Sequence, residues 1–303
     1  MGFKFFEKNR IVIGSAVLCC VIMVMNPEVT AAASKEAINL WLNSVVPMLL
    51  PFFITANFLK HTGVVNRISP SVYPFVMGVL SGYPMGARVA GDYYREGMID
   101  DRQLYRILSY SMITGPAFLI GAVGVEFLHS HGLGVLLAVC HYVSALINSL
   151  FYGGLTGKAS TPRRKAFIRQ DTYYNILTDA IIDSFRAIAI ILAYIILFMI
   201  GTDLLQFSGV LSFLPTAEAA ALVKGFLEMT VGCNSLAMCQ CAPLVKTTLA
   251  AFVVTFGGLS VMGQSMSMLR GCNVTFRQLF VMKLSHGVIC AILTFALGSF
   301  VVY

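Results

Sequence analysis

The sequence contains few charged residues: Lys, Arg, Asp and Glu make up only 12% of its 303 residues. A soluble globular protein carries about 25% of them, so this chain lacks the polar side chains that would cover a surface in water. Hydrophobic residues make up 57%, and the mean hydropathy is +0.80. Several apolar runs exceed the roughly 18 residues that span a bilayer. The composition therefore predicts an all-α polytopic membrane protein.

The sequence also lacks the short motifs of common catalytic and nucleotide-binding sites. It contains no Ser/Lys or Gly-x-Ser-x-Gly arrangement, no His-Glu-x-x-His metal motif and no nucleotide-binding loop. Cys233, Cys239 and Cys241 lie close together, but their spacing fits no zinc pattern and no His is near them in the sequence. We therefore expect no enzyme, no cofactor and no metal.

The net charge of +7 comes from basic residues in short segments between apolar runs. Lys and Arg at such positions set the orientation of helices in a bilayer, so the charge does not indicate a nucleic-acid partner. The most polar stretch is the linker at 157–172, whose basic residues are Lys158, Arg163, Arg164, Lys165 and Arg169. We expect this linker and the basic N-terminus to be cytoplasmic.

Apolar runs and helix breakers divide the chain into two similar series of spans. Residues 1–30 hold an N-terminal transmembrane helix, at about 10–26. A cleaved signal peptide is the alternative, because basic residues precede the run and the small residues TAAAS follow it. The first series then contains a span at 36–60 bent by Pro47 and Pro51, a glycine-broken segment at 71–97, a helix at 102–128 interrupted at Gly115-Pro116, and a span at 131–154. The second contains a long helix at 175–206, a segment at 216–238 broken at a glycine, and spans at 247–269 and 277–303.

Four pairs of matching segments, in the same order, indicate an internal repeat. The best of them are GPAFLIG at Gly115 with GGLSVMG at Gly257, and CHYVSALI with SHGVICAI, which aligns His141 with His286. Placing both basic regions in the cytoplasm makes the two repeats inverted, which is a recurring plan of secondary transporters. We therefore assign a first gate-like repeat to 31–156 and a second, inverted repeat to 173–303.

The stretch SGYPMGAR at 81–88 breaks an apolar helix and places an arginine beside the break. Backbone that leaves a helix inside a membrane lines a cavity or is buried in protein. Gly82 and Gly86 permit tight turns, and Pro84 suits the first residue of a new half-helix. The N-terminus of that half-helix attracts anions. A tight turn in a loop, with Arg88 serving only orientation, is the structural alternative.

These features define a candidate substrate site. At the other break, Glu228 is the expected partner of Arg88, and we expect both side chains to face one central cavity. His141 and His286 are proton or gating candidates because ionisable groups inside a membrane are commonly functional; the alternative is that they bond neighbouring helices. The candidate substrate-binding residues are Ser81, Gly82, Tyr83, Pro84, Gly86, Arg88, Thr114, Gly115, Glu228, Thr230, Asn234, Ser235 and Gln264.

Four segments carry a family resemblance: SGYPMGARVAGDYYREGMI, TGPAFLIGAVG, HYVSALI and GFLEMTVGCNSL. They resemble the family of the sporulation integral membrane protein YlbJ, also called stage V sporulation protein V, within the wider nucleoside-recognition or gate-domain families. The resemblance covers about residues 36–300. It implies transport of dipicolinic acid, a small planar aromatic dianion, across the outer forespore membrane of a spore-forming bacterium.

The leading hypothesis is therefore a transporter of a small organic anion. One alternative is a nucleoside or other neutral-metabolite carrier, in which Thr114, Asn234, Gln264 and Ser265 would recognise hydroxyls or a base. Another is a membrane scaffold for spore assembly that has no substrate. The expected partners are the lipid bilayer and a small anion, and either a homo-oligomer or other sporulation membrane proteins are compatible with the sequence.

Overall fold

The computed structural model describes residues 10–62, 69–153 and 172–301, and within these ranges all regular structure is helical. The first half contains α1 (Arg10–Met25), α2 (Pro27–Leu40), α3 (Val46–His61), α4 (Tyr73–Ser81), α5 (Met85–Arg95), α6 (Asp101–Ser111) and α7 (His131–Phe151), with π-helices at Trp41–Val45 and Ala117–Phe127. The second half contains α8 (Tyr173–Phe207), α9 (Ala217–Leu227), α10 (Met229–Met238), α11 (Pro243–Phe256), α12 (Gly258–Met268) and α13 (Phe276–Val301). This architecture confirms the all-α polytopic fold.

Four helical stretches in the described part of the chain are long and apolar enough to cross a membrane: α7, α8, α11 together with α12, and α13. A fifth is obtained if α1 and α2, which meet at 103°, count as one bent span. The sequence placed the second span at 36–60, whereas the helix begins nine residues earlier, at Pro27. The orientation prediction rests on the N-terminal lysines, Arg67, residues 157–171 and Tyr303, which lie outside the described residues.

The predicted proline bend in the second span takes the form of a change in helix type. Pro47 has no backbone N–H and cannot bond to the carbonyl four residues before it. Just before it, the N–H of Val46 bonds to the carbonyl of Trp41, five residues back, at the end of the π-helix. The helix therefore continues through this point with a wider turn, and Pro51 lies inside α3.

The first broken segment has the predicted break, between α4 and α5 at 82–84. Gly82 has a φ of 75°, a backbone conformation that residues with a side chain rarely adopt. At Gly86, a Cβ atom would lie 1.9 Å from the backbone oxygen of Ser111. Glycine thus allows both the turn and the close contact of α5 with the end of α6.

The second broken segment does not break at a glycine, contrary to the prediction. The break is Glu228, an extended residue between α9 and α10 with φ −136° and ψ 120°. Gly225 and Gly232 lie inside α9 and α10, and a Cβ on Gly232 would lie 2.1 Å from the Cα of Gly225. These glycines allow the two half-helices to cross in close contact, whereas the turn between them is made at Glu228.

The order of elements is the same in both halves. A long helical element is followed by a broken pair, then by a helix interrupted near its middle, then by a last uninterrupted helix. The halves also pack against each other, with α2 and α3 on α8, α7 on α13, and α5 on α12. This packing brings both broken pairs to the middle of the molecule. The domain boundaries and the inversion of one half across the membrane stay predictions.

Candidate functional site

Three cavities follow one another along α8. Asp183 and Ile190 line the first, which we call the arginine cavity. Ile195 lines the central cavity, and Met199 and Asp203 line the third, the carboxylate cavity. From Asp183 to Asp203 the helix rises about 30 Å at 1.5 Å per residue, which is about the thickness of the hydrocarbon core of a bilayer.

The helical element from α2 to α3 passes the same three cavities in reverse chain order. Asn57 lines the arginine cavity, Leu49 the central cavity and Glu36 the carboxylate cavity. The element packs against α8. The two halves therefore contribute matching walls to a row of cavities that is as long as a membrane is thick.

The central cavity lies where the two broken pairs meet, and its volume is about 110 Å³. Its walls are mostly apolar, with Leu40, Phe118 and Val261 among them. Eight of the thirteen predicted substrate-binding residues line it: Ser81, Gly82, Tyr83, Thr114, Gly115, Glu228, Thr230 and Gln264. The sequence thus identified most of its polar lining.

Two contrasting groups provide polarity in this cavity. The hydroxyl of Ser81 is buried and has no hydrogen-bond partner in the part of the chain that the structure describes. The carboxylate of Glu228 accepts a hydrogen bond of 2.8 Å from the backbone N–H of Val231 and caps the N-terminus of α10. An acidic N-cap is favourable because the first N–H groups of a helix have no partner within the helix.

Arg88 lies in the arginine cavity, whose volume is about 540 Å³. Its guanidinium donates hydrogen bonds to Oδ1 of Asn57 at 3.1 Å and to the backbone carbonyl of Asp183 at 3.4 Å. The ring of Phe53 lies 5.4 Å from the guanidinium carbon. The second terminal nitrogen, Nη1, has no hydrogen-bond partner within the described ranges.

This position corrects one expectation: Arg88 and Glu228 line different cavities. The cause is the helical rise of α5, which carries Arg88 one turn away from the break, towards Asn57 and Asp183. Other charged residues surround it there. The charged residues that line the arginine cavity are Arg88, Arg95, Arg186, Arg270, Asp92 and Asp183.

The carboxylate cavity, of about 640 Å³, has the opposite character. Its charged lining residues are Glu36, Glu126 and Asp203. The predicted residue Asn234 lines this cavity instead of the central one, and Thr230 lines both. The two outer cavities of the row thus differ in the sign of their charge.

Three predicted residues line none of these cavities. Pro84 precedes the first residue of α5, Gly86 packs against the backbone of Ser111, and Ser235 lies partly buried in α10. Pro84 and Gly86 shape the break and are not positioned to contact a ligand. In the described part of the chain, no group of three or more His, Cys, Asp or Glu residues could hold a metal ion.

His141 and His286, which the sequence aligns in the two halves, lie in contact. Their ring centroids are 5.1 Å apart, and His286 Nε2 lies 3.2 Å from the backbone oxygen of His141. The N–H of Thr114 donates to Nε2 of His141, so this ring carries its proton on Nδ1, which lies 2.8 Å from the hydroxyl of Thr255. Both nitrogens of His141 are thereby engaged, and neither histidine lines any of the three cavities.

Sequence reasoning missed Lys283, a fully buried lysine in α13. Its ammonium nitrogen contacts the hydroxyl of Tyr83, lies 4.4 Å from the centroid of the Tyr83 ring, and donates to the carbonyl of Met112 at 2.9 Å. The Tyr83 hydroxyl in turn donates to the carbonyl of Thr255 at 3.0 Å. A lysine within the apolar run 279–301, three residues before His286, was the available signal.

A curated relative covers most of the chain. The sporulation integral membrane protein YlbJ of Bacillus subtilis is 28% identical over an alignment of 332 positions, which covers 94% of this chain and 81% of the relative. No protein-family model matches the chain, and no solved structure matches it.

Proposed function

Because the chain is a YlbJ-like integral membrane protein, we propose that it transports a small organic anion, dipicolinic acid, across the outer forespore membrane during spore formation. The relative's name connects the chain with sporulation and with a membrane. The identity of the substrate and the direction of transport are proposed here, and the three cavities provide the support for them.

The observation that carries the proposal is the central cavity between two broken helices. Interrupted helices cost backbone hydrogen bonds inside a membrane, and they are tolerated where the freed groups are buried in protein or line a cavity. Here Gly82 and Glu228, one from each break, line the same cavity, and a wider cavity lies on each side of it along α8. This arrangement supports a transport path, whereas a scaffold has no need of it.

The arginine cavity supports an anionic substrate. Four arginines and two aspartates line it, and Nη1 of Arg88 has no hydrogen-bond partner among the residues that the structure describes. A guanidinium presents paired donors that match the two oxygens of a carboxylate. If the 157–172 linker is cytoplasmic, as the charge pattern predicts, the arginine cavity opens to the cytoplasm. An anion would then load there and leave through the carboxylate cavity, whose charge disfavours its return.

A second candidate substrate is a neutral metabolite such as a nucleoside. The specific observation in its favour is the lining of the central cavity, which includes Glu228, Thr114 and Gln264 but no lysine or arginine. Hydroxyl, amide and carboxyl groups of this kind can bind the hydroxyls and base edges of a nucleoside. In this case the arginines would set only the orientation of the helices.

The test is transport by the purified protein in liposomes, with dipicolinate and uridine compared at equal concentrations. We expect dipicolinate uptake well above that of protein-free liposomes. Arg88→Lys keeps the charge but loses the planar fork, so it should weaken dipicolinate transport about tenfold, the scale of one hydrogen bond to a charged group. Arg88→Ala should abolish it.

Arg102→Lys is the matched control, because Arg102 is exposed at the start of α6 and lines none of the three cavities. It should transport as the wild type does. Uridine uptake without dipicolinate uptake would replace the anion by the second candidate. Uptake of neither solute, with correctly folded protein, would refute both.

A further inference from the structure

Lys283 occupies an unusual environment for a cationic side chain. It is 1% exposed, and it lies in the membrane-spanning α13. Among the residues that the structure describes, no carboxylate is paired with it. An unpaired charge at such a site carries a large desolvation penalty. With no anion close by, this environment therefore favours a neutral amine.

The hydrogen bonds around Lys283 fit a neutral amine. Its nitrogen has two partners, the hydroxyl of Tyr83 and the carbonyl of Met112. The hydroxyl of Tyr83 gives its own proton to the carbonyl of Thr255 and so accepts from the lysine. The two N–H bonds of a neutral amine satisfy both acceptors, and a third N–H of an ammonium finds no acceptor among the described residues.

Tyr83 connects this lysine with the central cavity. One side of Tyr83 lines the cavity, and its ring packs against the nitrogen of Lys283. A carboxylate in the cavity would therefore lie one side chain away from the amine. Glu228, the acidic residue that the protein itself contributes to this cavity, is engaged as the N-cap of α10, and the anion would add a further negative charge beside Tyr83.

We propose that Lys283 takes up a proton when an anion enters the central cavity and releases it when the anion leaves, so that each anion moves together with a proton. The proton comes from water at the loading side, binds the lone pair of the amine nitrogen, and returns to water at the release side. This inference rests on the proposed anion transport. Because the two binding events favour each other reciprocally, the proton raises the affinity for the anion by the same factor as the anion raises the affinity for the proton.

Other titratable groups adjoin Lys283, and they are less suited to this role. On α13 itself they are His286 and Cys290, on α7 His141, and on the first break Tyr83. The neighbouring groups from α11 and from the end of α6 are the carbonyls of Thr255 and Met112, which do not titrate. His141 has both nitrogens engaged, and His286 lies against the backbone oxygen of His141 and does not line the central cavity.

The experiment measures protons and anions together in liposomes that hold a trapped pH indicator, with the membrane potential clamped by potassium and an ionophore. An inward dipicolinate gradient without a pH gradient is applied. We expect the wild type to acidify the interior with about one proton for each anion. Lys283→Met, an unbranched apolar replacement, should lower anion flux at least tenfold and bring proton flux to the level of protein-free liposomes.

Two further variants separate the lysine from its neighbours. Lys283→Arg has a permanent charge and should move anions with close to zero protons per anion. His286→Gln should keep the wild-type ratio. The folding of each variant is checked against the wild type by its melting temperature and by elution as a single species in size-exclusion chromatography. If a variant does not fold, the number of protons that the wild type moves with each anion still tests the inference.

The outcomes distinguish this inference from the proposed function. Anion flux in the wild type without accompanying protons overturns the inference and leaves anion transport in place. Proton coupling that survives in Lys283→Met but is lost in His286→Gln overturns the assignment to Lys283. Wild-type protein that moves no dipicolinate overturns both proposals.

Discussion

The two breaks in the helices line the same cavity but are built differently. The first occupies three residues, turns at Gly82, and is held by a side chain of the other half, because Lys283 bonds to Tyr83. The second is the single residue Glu228, which caps the following half-helix with its own carboxylate. One break is therefore stabilised across the repeats and the other locally.

The two halves share one feature and differ in another. Both contain an interrupted helix that lines the central cavity. The means of holding the break differs, with a glycine turn and a lysine bonded to the Tyr83 hydroxyl in one half and an acidic cap in the other. The cavity consequently has a buried amine behind one wall and a carboxylate in the other.

The largest expected effect comes from Gly86→Ala. The new Cβ would lie 1.9 Å from the backbone oxygen of Ser111, and neither backbone can move away without opening the first break. We expect a loss of about 3 kcal/mol or more in the free energy of unfolding, measured as a fall in melting temperature and in the yield of folded protein. Gly121→Ala is the matched control, because nothing lies within 4 Å of that site, and it should be neutral or slightly stabilising. Equal melting temperatures for the two variants would contradict this account of the first break.

The next effect tests which break depends on the other half. Tyr83→Phe and Lys283→Met remove opposite ends of one contact, so their effects should not add, and the coupling should be about 0.5–3 kcal/mol. Glu228→Ala and Lys283→Met should add to within about 0.5 kcal/mol, because the carboxylate is bonded within its own half. Unfolding measurements on the single and double variants give both values. If the Tyr83–Lys283 pair and the Glu228–Lys283 pair show coupling of equal size, the claim that only the first break depends on the other half is wrong.

Glu228→Ala on its own should have a moderate effect. It removes an N-cap, which costs about 0.5–2 kcal/mol, and it also removes the carboxylate from the central cavity. Thr216→Ala is a suitable control, since Thr216 caps α9 at an exposed position by accepting from Ala219. Both variants should lose similar stability, while only Glu228→Ala should change the concentration dependence of dipicolinate transport. A transport change in both variants would trace the effect to stability alone.

The smallest effect concerns the carboxylate of Asp101, which lines none of the three cavities. Tyr94 and Asn273 donate hydrogen bonds to Asp101 at 2.6 and 2.8 Å and lower the pKa of its carboxyl below the ordinary value of 3.8. The stabilisation is thus present above pH 3.8 and is lost as the pH falls through the lowered pKa. Tyr94→Phe should lower the melting temperature by about 1 °C or less at pH 7, and the difference should vanish once Asp101 is protonated. A difference that persists in acid would assign the effect to packing.

Helix type, order and most bounds could be predicted from the sequence because apolar run length and helix breakers act locally. The first break and the interruption near Gly115 follow from such signals. The second break could not be placed, because Gly225 and Gly232 resemble turn glycines while their function is a helix crossing. That distinction depends on which surfaces meet, which is a property of the tertiary structure.

The same reason explains the errors at the candidate site. Proximity to a break in the sequence put Arg88 in the central cavity, but one turn of helix carries it to another cavity. Lys283, which contacts Tyr83 in the wall of the central cavity, lies 200 residues from it in the chain. No local pattern predicts such a contact. The position of Lys283 within an apolar span is visible in the sequence, but the residues that it contacts are not.

The helix α8 borders all three cavities and runs without an interruption over 35 residues. A rigid rod that pivots near its middle moves its two ends in opposite directions. A tilt of α8 about Ile191 and Ile195 would therefore widen the passage at Asp183 while it narrows the passage at Asp203, or the reverse. If the proposed transport takes place, this helix would act as a lever that couples opening at one end of the row of cavities to closing at the other.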